Sequence, residues 1–331
     1  MKYISKTVFG LFFVTASFAQ SPKGEHPGVQ LYLQGNYAEA VKILSLAVKD
    51  KYWKSDPALW NYLGLAYIST SEYKKAKKAT QTAIDLAPEN SIYHTNLSYL
   101  YLVTRDFNKA LKEADRALGL DGKNVHARYI RGSAYLLTGK LDEAEKDSDL
   151  IMTTDPSDPS GYVLKSSVQM SLLGRSLLAD PNATIKNKIS YLEDAYKALE
   201  TGAERAKLHP NRKMIDDELA MIGAFYKHYK KEPKDPAIPD GSIVTPIKIL
   251  FKPRASYTDK ARELGLEGKI RVAVLLGADG KVQYILFLKR LGAGLDEEAL
   301  KAAKQIKFEP KKVNGQPVST VLTFEYGFDI Y

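Results

Sequence analysis

The chain of 331 residues contains no cysteine. That absence removes disulfide staples, thiolate metal ligands, a cysteine nucleophile and a lipid-modified cysteine. Histidine is sparse as well. His26, His94, His126, His209 and His228 lie too far apart in sequence for a local metal motif and read as surface or packing residues. No Gly-x-Ser-x-Gly elbow or His-Glu-x-x-His helix occurs. The segment Gly161 to Ser166 has the lysine and serine of a phosphate loop without its second glycine, and Gly292-Ala293-Gly294 lacks the last glycine of a dinucleotide fingerprint. Two acidic clusters, Asp216-Asp217-Glu218 and Asp296-Glu297-Glu298, open expected helices, where the helix dipole favours negative charge. They fit helix starts better than a carboxylate pair for hydrolysis. The expectation is a protein that is not an enzyme, with no metal and no cofactor.

What the chain has instead is a basic balance and two kinds of regular pattern. The formal charge is +9, with 44% hydrophobic and 26% charged residues, an ordinary folded composition on a chain long enough for two cores. Basic proteins meet nucleic acid, anionic surfaces or acidic peptides. Nucleic acid is the poorest fit, because the lysines are dispersed among Glu and Asp along helices and no run interleaves aromatics with arginine.

The start, Met1 to Lys6, is positive, and an apolar run follows to Ala19 with small residues at Ser17 and Ala19. This reads as a signal peptide over 1–19, cleaved before Gln20. The uncharged stretch from Thr7 is short against the roughly 20 residues of a spanning helix. Export is expected; a retained inner-membrane anchor is the alternative.

A 34-residue period follows. Trp60, Leu63, Gly64, Tyr67, Tyr73, Ala76, Ala83 and Pro88 recur as His94, Leu97, Ser98, Tyr101, Phe107, Ala110, Ala117 and Gly122. They recur again as Arg128, Arg131, Gly132, Tyr135, Leu141, Ala144, Ile151 and Pro156. Small residues at 64, 98 and 132 let paired helices approach, and proline stops the second helix. The pattern resembles the tetratricopeptide repeat, so residues 20–231 are expected to form an all-α solenoid of helical hairpins. An incomplete copy precedes it, and a divergent one begins at Tyr162, is interrupted at Ala179-Asp180-Pro181-Asn182, and is closed by helices over Lys188 to Lys207 and Asn211 to Lys231. The resemblance places Asn61, Leu65, Tyr99, Leu102, His126, Tyr129 and Leu136 on the inner surface, where such repeats bind a peptide or protein; packing between repeats is the other use of these tyrosines. The proline-rich stretch 232–241 reads as an extended linker.

The last ninety residues, 242–331, have a different grammar. A short helical stretch after Lys252-Pro253-Arg254 ends at Gly268, and Ile270 to Leu276 and Val282 to Leu288 form a hairpin around Ala278-Asp279-Gly280. A helix over Leu295 to Ile306 is acidic at its start and basic at its end. The turn Asn314-Gly315 leads into a long strand, Val318 to Phe328, with Leu322, Phe324, Tyr326 and Phe328 on a buried face and Thr323 and Glu325 on a wet one.

These features resemble the C-terminal domain of the TonB family. The matching residues are Tyr257-Thr258-Asp259-Lys260-Ala261-Arg262, Leu266-Glu267-Gly268, Asp279-Gly280-Lys281-Val282, Gly294-Leu295-Asp296, Phe308-Glu309-Pro310, Gly315-Gln316-Pro317-Val318 and Phe324-Glu325-Tyr326-Gly327-Phe328. Many members carry proline where Thr258 stands. The resemblance implies a small α+β domain that binds an outer-membrane transporter by strand addition along its last strand. It places Val321, Thr323 and Glu325 beside the added strand, and Arg254, Tyr257 and Lys260 in a second contact region. Three readings follow: a periplasmic adaptor with two binding modules, a membrane-anchored energy transducer, and a structural scaffold that forms a homodimer through its tail.

Overall fold

The computed structural model describes residues 26–179, 185, 188–209, 212–231 and 241–329. The expected leader, the Asp180-Pro181-Asn182 interruption and all of the linker but Gly241 lie outside the described residues. The chain divides into two compact units, one ending at Asp155 and the other running from Pro156. This division falls well before the compositional break at 232–241.

The first unit is helical throughout: α1 Pro27–Leu33, α2 Tyr37–Ala47, α3 Pro57–Ser69, α4 Tyr73–Leu86, α5 Ser91–Val103, α6 Phe107–Leu120, α7 Val125–Leu137 and α8 Leu141–Thr154. Consecutive pairs form the hairpins that the 34-residue period predicts. Asp56, Asn90 and Asn124, themselves 34 residues apart, cap α3, α5 and α7 by accepting the backbone N–H of Ala58, Ile92 and Ala127 at 2.9, 3.0 and 2.9 Å. The small positions act as expected. A Cβ on Gly64 would stand 2.3 Å from Thr80 Oγ1 of the paired helix, and Ser98 Oγ donates to the Ala110 carbonyl at 2.6 Å. Leu44, Leu59, Leu63, Ala76, Ala83, Leu97 and Leu100 fill the core.

The second unit begins with three helices, α9 Ser160–Ala179, α10 Ile189–Arg205 and α11 Arg212–Lys231. It continues with β1 Val244–Thr245, β2 Lys248–Phe251, α12 Asp259–Glu263, β3 Gly268–Leu276, β4 Val282–Lys289, α13 Leu295–Lys304, β5 Lys307–Glu309, β6 Lys311–Val313, β7 Gln316–Val318 and β8 Thr320–Phe328. The main sheet is antiparallel in the order β4-β3-β8; β1-β6-β7 and β2-β5 form two smaller sheets. Neither β1 nor β2 is among the strands expected from the sequence pattern.

Alternation along β3 sends Ile270, Val272, Val274 and Leu276 into a core with Leu295, Ala299 and Ala303 of α13 and Phe324, Tyr326 and Phe328 of β8. Ala273 and Leu275 point the other way and are buried too, as are Leu286 and Leu288 of β4. The reason lies in the helices: α9 and α11 pack against β4. A Cβ on Gly174 of α9 would meet the Leu288 carbonyl oxygen at 2.6 Å, the rings of Phe225 and Tyr284 lie 6.4 Å apart, and Glu218 of α11 pairs with Arg290 at 2.9 Å. A strand buried on both faces is apolar without alternation, which is how β3 reads from Val272 to Leu276.

Candidate functional site

Strand β8 pairs with β3 in unbroken antiparallel register from Gly268 opposite Phe328 to Leu276 opposite Thr320. Among the described residues it has no strand on its other side. In such a pair, alternate residues turn both backbone groups toward the neighbour or away from it. The Glu325 carbonyl is taken by Lys252 Nζ at 2.7 Å, so it faces away from β3. By alternation Val321 and Thr323 face away as well. These are the residues that the family resemblance placed beside an added strand; Thr323 is exposed, and Val321 and Glu325 are half-buried.

The Glu325 side chain is engaged across the sheet. Its carboxylate accepts from Arg271, directly opposite on β3, and pairs with Lys269 at 3.2 Å. Those two cations hold its carboxyl below the usual carboxylate range. Beside it, the Tyr326 hydroxyl is buried with no hydrogen-bond partner among the described residues, and burial pushes its pKa up to about 12.

Of the second contact region, Lys260 lies within α12, and Tyr257 touches the end of β8. Arg254 and Lys260 are exposed, whereas Tyr257 is partly buried: its hydroxyl donates to the Leu266 carbonyl at 2.6 Å and its ring lies 6.1 Å from that of Phe328. Thr258, standing where many members have proline, caps α12 through Ala261 N–H and donates to the Ala293 carbonyl at 2.6 Å. Sequence reasoning missed Lys252 and Arg271, which the fold brings to the edge from 73 and 54 residues away. A strand-register argument would have found Arg271; nothing in the sequence marks Lys252.

On the repeats, the named inner-surface residues divide by exposure. Asn61, Leu65, Leu102 and Tyr129 are buried, while Tyr99, His126 and Leu136 are partly exposed. Asn96 Nδ2 donates to Asn61 Oδ1 at 2.8 Å, so Asn61 links α3 to α5. Burial raises the Tyr99 pKa, with the hydroxyls of Tyr73, Tyr129 and Tyr37 adding to the effect. His94 is a packing residue, its ring nitrogens 2.8 Å from Glu113 Oε2 and 3.0 Å from the Pro88 carbonyl. The acidic clusters have structural partners: Asp296 accepts from the N–H groups of Leu291 and Gly292 at 2.9 and 3.2 Å, and Asp216 and Asp217 pair with Arg212 and Lys213 at 2.8 and 2.9 Å.

Residues 253–330 match the family described as Gram-negative bacterial TonB protein C-terminal, and residues 57–90 and 95–159 match tetratricopeptide repeat families. No curated protein matches the chain. Among solved structures, a crystal structure of MamA is 17% identical, covering 56% of this chain and 99% of its own, with a TM-score of 0.45. TTC0263, a thermophilic TPR protein of Thermus thermophilus, is 18% identical over 62% of this chain and 95% of its own, with a TM-score of 0.43. The Arabidopsis OM64 TPR domain is 24% identical over 34% of this chain and 93% of its own, with a TM-score of 0.33. Among the described residues no helix is long and apolar enough to cross a membrane. The chain is a protein-binding envelope protein in which tetratricopeptide repeats precede a TonB-type C-terminal domain.

Proposed function

We propose that this protein is an exported periplasmic adaptor whose C-terminal domain accepts an extended segment of an outer-membrane transporter along β8, while its repeats recruit a second protein. The observation that carries the reading is the outer edge of β8, where Val321, Thr323 and Glu325 turn backbone donors and acceptors away from β3. Main-chain pairing supplies affinity in such complexes and side-chain contacts supply selectivity. The α9 and α11 helices support a single-edge reading. They pack on β4, at the opposite border of the sheet, which leaves β8 as the strand suited to pairing.

The test is nuclear magnetic resonance on the labelled full chain with a short acidic peptide of high strand propensity, added to about 1 mM to reach weak complexes. Amide shifts and slowed exchange confined to Val321, Thr323 and Glu325 are expected. Unchanged β8 amides at that concentration overturn the reading. β8 shifts that depend on protein concentration without peptide indicate self-pairing through the tail.

A further inference from the structure

The edge of β8 is not empty along its length. The Lys252 ammonium lies 5.0 Å from the Tyr326 ring centroid, 6.0 Å from that of Phe324 and 2.7 Å from the Glu325 carbonyl oxygen. That oxygen is one of the outward acceptors an added strand needs. Lys252 is therefore a competitor for the place of an incoming backbone N–H. Its charge is also left without a counter-ion: among the described residues no carboxylate pairs with it, and the nearby Glu325 carboxylate is committed to Arg271 and Lys269. Lys252 is exposed, so water can take up the released ammonium, but a carboxylate is the strongest acceptor a peptide can offer it.

We propose that Lys252 is a latch on the strand-accepting edge, opened by an extended partner segment that carries an acidic side chain. The incoming backbone N–H takes the Glu325 carbonyl, and the released ammonium pairs with the partner's carboxylate. A neutral segment releases Lys252 only to water, so the latch favours acidic segments and disfavours pairing with arbitrary strands, as edge lysines commonly do. The exposed Arg254, two residues on, strengthens the same charge preference. The inference rests on the strand-addition reading.

The probes are nine-residue peptides of alternating threonine and valine with one glutamate at successive alternate positions, and the same series with glutamine. They are titrated into full-length protein, Lys252→Met and Lys252→Arg, reading β8 amide shifts and affinity. Methionine keeps an apolar stem and removes the charge; arginine keeps both. At one register the unaltered protein should bind the glutamate probe about tenfold more tightly than its glutamine partner. Lys252→Met should lose that preference and bind the glutamine probe about threefold more tightly than the unaltered protein, because nothing has to be displaced. Lys252→Arg should retain the preference. Probes that shift β8 equally in all three proteins, with one affinity for both series, overturn the latch and leave strand addition standing. Probes that shift β8 in none of them overturn both.

Discussion

Arg290 and Glu218 form an ion pair at 2.9 Å that joins the residue just past β4 to helix α11, with both side chains largely withdrawn from water. The Arg290 guanidinium also stacks 4.4 Å from the Phe287 ring centroid. Removing one member of such a pair strands the other's charge. Glu218→Ala is expected to lower the stability of the second unit by about 2–3 kcal/mol, below the fully buried limit because some exposure remains. Hydrogen exchange at the amides of Leu286 and Leu288 reads this locally; unaltered exchange would show that the pair contributes nothing to the docking of α11.

Gly174 tests the same packing from α9. Its Cβ position lies 2.6 Å from a backbone oxygen, that of Leu288, which has no rotamer to escape into. Gly174→Ala is expected to cost about 1–3 kcal/mol through helix displacement. A stability equal to that of the parent would mean that α9 does not approach the sheet this closely in solution.

Within the repeats, Gly64 faces Thr80, whose Oγ1 is buried without a hydrogen-bond partner among the described residues. Gly64→Ala is expected to cost about 1–3 kcal/mol, and adding Thr80→Ala should recover part of that loss because Oγ1 is the atom struck. The only tryptophans, Trp53 and Trp60, both lie in this unit, so their fluorescence in urea follows its unfolding. Strict additivity of the two substitutions would refute the contact.

Tyr326 carries a buried hydroxyl with no partner among the described residues. Tyr326→Phe removes a group whose desolvation is uncompensated, so stability should stay level or rise by up to about 1 kcal/mol. A clear loss on thermal unfolding would reveal a partner for that hydroxyl.

Glu325 gives the edge a pH dependence. Its folded-state pKa is lowered by Arg271 and Lys269, so the unfolded chain takes up the proton first as pH falls. The stabilisation is therefore present in full above about pH 5 and is lost as pH drops through the unfolded value, near 4.3, and then through the lower folded one. Stability measured between about pH 6 and 3 should fall less steeply in Glu325→Gln than in the parent. Parallel curves would show that the carboxylate is not paired.

Much of this architecture is legible in the residues because it is local. The stop at Pro88 and the turn at Asp279-Gly280 act within a few positions of where they stand, the small residues at 64 and 98 meet the next helix of the same hairpin, and the helices and the hairpin fall where these residues and the 34-residue period point. Which side chains of β8 alternate is readable for the same reason, since a strand's faces repeat with a fixed period of two, whereas the choice of β8 as the accepting edge came from the family resemblance. The inner surface of the repeats is less so: Asn61 and Tyr129, expected on that surface, are buried, and Asn61 is held by Asn96 of the next hairpin.

Periodicity and turn chemistry along the chain were enough to dictate two patterns, helical hairpins and then a small sheet with a long last strand. What lies against that sheet, and what sits on its edge, was settled in three dimensions. Helices α9 and α11 carry no local mark that distinguishes a repeat helix from one that packs on β4, and Lys252 reaches Glu325 across 73 residues. Contacts of that kind depend on how separate segments meet in space, which no spacing along the chain encodes.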